Sequence, residues 1–300
     1  MSNFSISNNG PAWWQVDNHE RSSSSEPPSV EIITKRYSGI RRQDSRTYGE
    51  PVSDRVVASG MHLFVYKPEN LDPGKKPESI WDGFSQWDRD NCVSVAAIKL
   101  AMEQFGEQPT DVFKEVREIP DGFQVTLRNN QTIYLTQDEL EMASTSARFK
   151  GTDPQTLTSA NFIYAVMAKV EQQTQQKAKN GHVSYGEALG VLNNRRDALP
   201  LAFARLGLAE QTEMVAPEDL ANGRPGAFHG ANGKDGTHTS VSVGGREERW
   251  GNQGGPSPTG DNIYAYAFKK NIELTQRHGP GGVAKTSLSS ARLAGFNAPP

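Results

Sequence analysis

The sequence predicts an α+β protein, helical in its first half and built of antiparallel strands in its last third. Three stretches carry this reading. Residues 93–105, directly after Cys92, place apolar side chains at 93, 96, 97, 100 and 101, one face of a helix that Gly106 stops. Residues 159–179 repeat the pattern with Phe162, Ile163, Val166, Met167 and Val170. Residues 237–243, Thr-His-Thr-Ser-Val-Ser-Val, alternate as a strand does, and Gly244-Gly245 turns the chain after them.

The remaining elements follow in order. Residues 1–55 are rich in Ser, Asn, Arg and Pro and are short of apolar side chains. Such a segment buries too little surface to offset its ordering entropy, so it is expected to be disordered. Residues 56–79 form a linker, with a short strand at 61–66 that packs on the core. The catalytic domain is expected over 80–276. Within it, 123–127 and 132–135 alternate on either side of Asn129-Asn130 and predict a β-hairpin. Thr136-Gln-Asp-Glu139 fits a capping box and opens a helix to about Arg148. The helix 159–179 ends in a polar run, 171–176, expected to project into solvent, and Asn180-Gly181 stops it. Shorter helices fall at 186–193, 197–206 and 217–222. Strands are expected at 226–229, 237–243, 249–252 and 262–269, with a Gly/Asn-rich loop over 230–236. Residues 277–300 read as a flexible tail.

Composition narrows the function. The 300 residues carry a net charge of −3 and 35% hydrophobic side chains, with a mean hydropathy of −0.65 and a pI near 6.1. This balance gives no electrostatic footprint for nucleic acid. No apolar run is long enough to span a bilayer, and the first residues lack the basic and apolar regions of a Sec signal. A single cysteine excludes an internal disulfide, and no Cys/His cluster suggests a metal.

Cys92 stands where the polar loop 85–91 becomes a helix. A helix N-terminus carries unpaired N–H groups and partial positive charge, which favour a thiolate, the nucleophilic form. A nucleophilic thiol needs a base, an orienter for that base and donors for an oxyanion. His238, on a strand after the Gly-rich loop, is the candidate base. Asn252 comes 14 residues later, after one turn, and is the candidate orienter. Gln86 lies six residues before Cys92, and its amide with the Cys92 N–H would form a two-donor oxyanion hole. His229 is a rival base, and Asp235 and Asp261 are rival orienters. Asp88 and Asp90 oppose a thiolate unless Arg89 offsets them.

In this order Gln86, Cys92, His238 and Asn252 resemble the papain-like cysteine proteases, a superfamily that includes papain, calpain and bacterial effector proteases. There a glutamine precedes the catalytic cysteine by six residues, the cysteine heads a buried helix, and a strand histidine is followed by an asparagine on the next strand. His238-Thr-Ser-Val-Ser-Val-Gly244 is similar to the family's histidine strand, and Ala96-Ala97 to calpain's small-residue run. Where the family favours glycines between glutamine and cysteine, this chain has Trp-Asp-Arg-Asp-Asn; Trp250 is the nearest indole to Asn252.

The resemblance implies a papain-like fold, with a helical part carrying the nucleophile packed on an antiparallel β part. It implies a cysteine endopeptidase that hydrolyses a protein substrate through a thioester, with no cofactor and no metal. A glutamine deamidase or transglutaminase-like enzyme with the same Cys-His-Asn site is the alternative, and an inactive binding module of the same fold the second. The polar N-terminus resembles the export signals of bacterial type III effectors, which implies a host protein as substrate. A cytoplasmic enzyme, or a prosegment over the first 80 residues, is the other reading.

Overall fold

The computed structural model describes residues 50–69, 72–194, 197–231 and 237–270. The expectations for most of 1–55, for residues 232–236 of the loop expected at 230–236 and for the tail 277–300 lie outside these residues; Gly230 and Ala231, expected in that loop, belong to a strand.

After a two-residue strand, β1 (Ala58–Ser59), the chain reaches helix α1 (Cys92–Phe105) and a short helix α2 (Pro109–Val112). A three-stranded antiparallel meander follows, β2 (Glu115–Ile119), β3 (Gly122–Thr126) and β4 (Thr132–Thr136). Then come α3 (Gln137–Ala147), β5 (Lys150–Gly151), α4 (Pro154–Lys179), α5 (Tyr185–Leu192) and α6 (Leu199–Arg205). The last third is β6 (Thr212–Val215), α7 (Pro217–Ala221), β7 (Gly226–Ala231), β8 (Thr237–Val243), β9 (Arg246–Arg249), β10 (Asn252–Pro256) and β11 (Ile263–Phe268). These strands form one antiparallel sheet in the order β10-β9-β8-β7-β11-β6. The protein is thus mixed α and β with antiparallel sheets, helices dominating the first part and strands the last. Among the described residues no helix is long and apolar enough to cross a membrane.

Local chemistry explains the boundaries. Thr136 caps α3 with a full capping box, and Ser184 does the same for α5. Asp153 accepts from the Gln155 N–H and Pro154 takes the first helical position, so α4 starts before the apolar period of 159–179 begins. Asn180 ends α4 in the left-handed conformation.

Helix α1 is the centre of the core. The sequence pattern marks one apolar face, but Val93 to Met102 are buried on every side, including Val95, Ile98 and Lys99. Val241 of β8 and the helices α4 and α6 pack in the same core, so the helix has no solvent face left.

Several expectations are corrected. Residues 61–66 form no strand: Met61-His62 is a turn closed by the Leu63 N–H on the Gly60 carbonyl, and the Met61 and Leu63 carbonyls accept from the side chains of Ser144 and Asn161 instead of a neighbouring strand. Residues 249–252 are not one strand; Trp250 (φ 48°) and Gly251 (φ 93°) reverse the chain between β9 and β10. The polar end of α4 is tied down: Glu171 accepts from Arg205 at 2.7 Å, and Gln172 and Gln176 donate to the Val183 carbonyl. Glu50, inside the segment expected to be disordered, pairs with Gln253 of β10. The strand β2 and the helix α2 have no counterpart in the sequence reading.

Candidate active site

Cys92 is the first residue of α1, where a polar loop becomes a buried helix. The N-cap position is Asn91, a residue type that ordinarily caps. Here its side chain makes no cap. It is fully buried and instead donates to the Ala147 carbonyl at 2.9 Å and to Asn193 Oδ1 at 3.1 Å. Asn193 also accepts from the Tyr164 hydroxyl at 3.0 Å and donates to Ser146 Oγ at 2.9 Å. This network anchors the start of the helix from behind and leaves its first N–H groups facing forward. The Val93 N–H is one of the groups that favour a charged sulfur at Cys92.

Cys92 is partly exposed. Burial pushes its thiol up from the ordinary value, and Asp90 adds to this in smaller measure. Against them stands Thr239 of β8, whose backbone N–H and hydroxyl favour the charged form of the sulfur. The pleat of β8 explains why Thr239 is there. Val241 is in the core against α1 and Val243 packs on that core, so Thr239, two residues back, shares their face. Ser240 and Ser242 use the other face, bonding the Glu248 carbonyl and Ser257 Oγ.

The two histidines bracket Thr239. His238 precedes it in the chain and falls in the alternate set with Ser240 and Ser242. Its ring lies against the Trp250 indole, centroids 4.9 Å apart and planes 31° apart. His229, on β7, is the cross-strand partner of Thr239, and its Nδ1 lies 2.8 Å from Thr239 Oγ1. Thr239 thus joins the two imidazoles, one through the backbone and one through a hydrogen bond.

The other expected members are placed as follows. Gln86 Nε2 donates to the Arg89 carbonyl inside its own loop, and Gln86 Oε1 is buried with no hydrogen-bond partner among the described residues. Asn252 opens β10 opposite Arg249, with β9 between its strand and β8. It is not on the strand next to His238 as the sequence reading expected, because the turn at Trp250-Gly251 inserts β9 first. Asp261 lies beyond β10, in the turn before β11, and Asp235 lies outside the described residues. Asp88 is paired with Arg148 at 3.1 Å, so that residue and not Arg89 offsets it. Arg148 also lies over the Trp87 ring, 5.6 Å from its centroid. Arg89 turns instead to an open groove of about 520 Å³, lined also by Asp138, Glu141 and Met142 of α3 and Gly186 and Leu189 of α5. Among the described residues no group of three or more His, Cys, Asp or Glu could hold a metal ion.

Two features escaped the sequence reading. Thr239 has no sequence signal, since its role depends on strand register. The second is Lys99, two turns below Cys92 and fully buried. Its ammonium donates to the Ile80 and Trp81 carbonyls at 2.5 and 2.7 Å and lies 3.6 Å from Glu248 Oε1. Glu248 in turn accepts from the Gly251 N–H at 2.6 Å. The lone charge inside the apolar run 93–102 was its visible mark.

The site so defined is a thiol at an uncapped helix N-terminus, facing a histidine-bearing antiparallel sheet. No protein-family model, no curated protein and no solved structure matches the chain.

Proposed function

We propose that the chain is a thiol hydrolase, and we read it as a cysteine endopeptidase of papain-like type. The carrying observation is Cys92 at the first position of α1, packed on the same core as Val241 of β8, the strand that carries His238. In the proposed reaction a histidine of the β7–β8 hairpin takes the thiol proton, and the thiolate attacks a peptide carbonyl. The Cys92 N–H, free of any partner within the helix, binds the oxyanion. Gln86 supplies the second donor with the amide hydrogen that its bond to Arg89 does not use. The thioester forms as the amine leaves, and water then releases the acid. His238, held against Trp250, is the base proposed from the sequence.

Covalent capture by an epoxide-type thiol-protease inhibitor, followed by peptide mass mapping, tests the nucleophile. Modification of Cys92 in the native protein, lost in denaturant, supports the reading. Modification only after unfolding overturns it. Mass analysis of treated substrates then separates the reactions: chain cleavage marks a peptidase, and conversion of a glutamine amide to the acid marks a deamidase. Export through a type III-like system is proposed on the composition of the N-terminal segment. It is tested by whether residues 1–50 carry a reporter out of a cell with that apparatus.

A further inference from the structure

We infer that the groove formed by α3, α5 and the loop 85–91 is a docking site for a polypeptide segment that carries a basic side chain, an apolar one and a carboxylate. The groove is open and measures about 520 Å³. Helix α3 lines it with Asp138, Glu141 and Met142, three and four residues apart and so on one face. Helix α5 adds Gly186 and Leu189, and Arg89 enters from the loop ahead of Cys92. Cys92 itself is not among the lining residues, so the inference stands apart from the thiol-hydrolase reading.

Charge, apolar surface and backbone each describe the occupant. Asp138, Glu141 and Arg89 line one groove, yet among the described residues none of them forms an ion pair. Arg89 Nε is also buried without a hydrogen-bond partner there. A ligand of the opposite polarity completes this pattern, with a cation at the two carboxylates of α3 and a carboxylate at the Arg89 guanidinium. Met142 is 48% exposed beside the buried Leu189. Its unbranched thioether adapts to an apolar side chain of varied shape. On α5, Gly186 and Gly190 lie one turn apart, and an added Cβ at either meets nothing within 4 Å. Glycine is among the poorest helix residues, and no packing contact requires it at these positions. A bare helix surface lets another backbone approach closely. Neighbouring residues of one peptide supply all three chemistries.

Fluorescence anisotropy of the full chain with a labelled peptide of Leu, Lys, Asp and Ser measures the docking, at low salt where exposed charges are least screened. Two companion peptides carry norleucine for Lys or Asn for Asp. Each should bind about threefold more weakly, the scale of an exposed ion pair. The double variant Asp138→Asn with Glu141→Gln should bind the Lys and norleucine peptides alike, and Arg89→Met should bind the Asp and Asn peptides alike, because each change removes the partner of the altered group. Gly186→Leu fills the groove and should weaken the first peptide about tenfold. Gly186→Ala, whose methyl enters open space, should melt no lower than the parent. Glu118→Gln, an exposed acid on β2 outside the groove, should leave each dissociation constant within about twofold. The peptide comparisons use the unmodified protein, so they decide the question whether or not a variant folds. Equal binding of the Lys and norleucine peptides, charge preferences unchanged in the groove variants, or parent-like binding by Gly186→Leu overturns the inference. Self-association of the parent that Gly186→Leu abolishes would make a second copy the occupant, and overturns it too.

Discussion

Lys99 and Glu248, both buried, tie the middle of α1 to the turn that presents Trp250 to His238. Burial pushes the Lys99 ammonium down from the ordinary lysine value, and Glu248 opposes that. Lys150 is pushed down by burial in the same way and is supported by the same carboxylate. Glu248 thus holds two cations and the Gly251 N–H together, at a point where the helix, the loop at Ser85 and the β9–β10 turn meet.

Removing one partner strands the other. Glu248→Ala should cost about 3–5 kcal/mol, because Lys99 keeps its charge and loses its counter-ion. Lys99→Met combined with Glu248→Gln should recover most of this, since the Gly251 N–H retains an acceptor. Urea denaturation of the three variants measures it.

The pH dependence of that pair has a definite sign. The Lys99 value is lowered in the folded state from 10.5, so the unfolded chain binds more protons below that pH. Stability therefore rises with pH from the folded value of Lys99 up to 10.5, and this part is absent in Lys99→Met. The difference in urea midpoint between parent and variant, followed up to that pH, should widen in favour of the parent.

Asp90 is exposed and raises the Cys92 thiol less than burial does. Removing its charge favours the thiolate. Asp90→Asn should speed labelling of Cys92 at neutral pH by about twofold, the scale of an exposed charge pair. No change, or slower labelling, would show that the loop acts on the sulfur by some other route.

The network behind the thiol should be sensitive to truncation. Asn193→Ala removes the acceptor of both Asn91 and the Tyr164 hydroxyl, which is fully buried. A stability loss of about 1–3 kcal/mol is expected for each donor left unmet. Labelling of Cys92 should fall as well, since a loosened Asn91 can turn to cap α1 and compete for its first N–H groups.

Gly251 is required where it stands. Its φ of +93° lies in the left-handed region, and an added Cβ would come 3.0 Å from Ser85 Oγ. Gly251→Ala should cost about 1–2 kcal/mol from the backbone alone. A thermal melt at the parent temperature would show that the turn tolerates a side chain.

Much of the architecture was legible in the chain. The start of α1 at Cys92, its stop at Gly106, the hairpin around Asn129-Asn130 and the capping box at Thr136 are local events, written in the side chains that make them. The ends of α4 show the limit: its C-terminus follows from Asn180, while its N-terminus depends on Asp153 and Pro154, which carry no apolar period. The β9–β10 reversal was misplaced because Trp250 adopts a left-handed conformation that a sequence pattern assigns to glycine or asparagine.

The sequence by itself determined the place of the one cysteine. The run after it, apolar except for Ser94 and Lys99, forms the buried helix that Cys92 heads, and helix electrostatics follow from that position. Which side chains share a face of the sheet was decided only by the tertiary structure. Strand register put Thr239, not His238, on the face of β8 that carries Val241 into the core, and cross-strand pairing brought His229 to the Thr239 hydroxyl. Residues far apart in the chain acquire such roles only when the backbone ladder is closed. No composition or spacing in the sequence encodes that pairing directly.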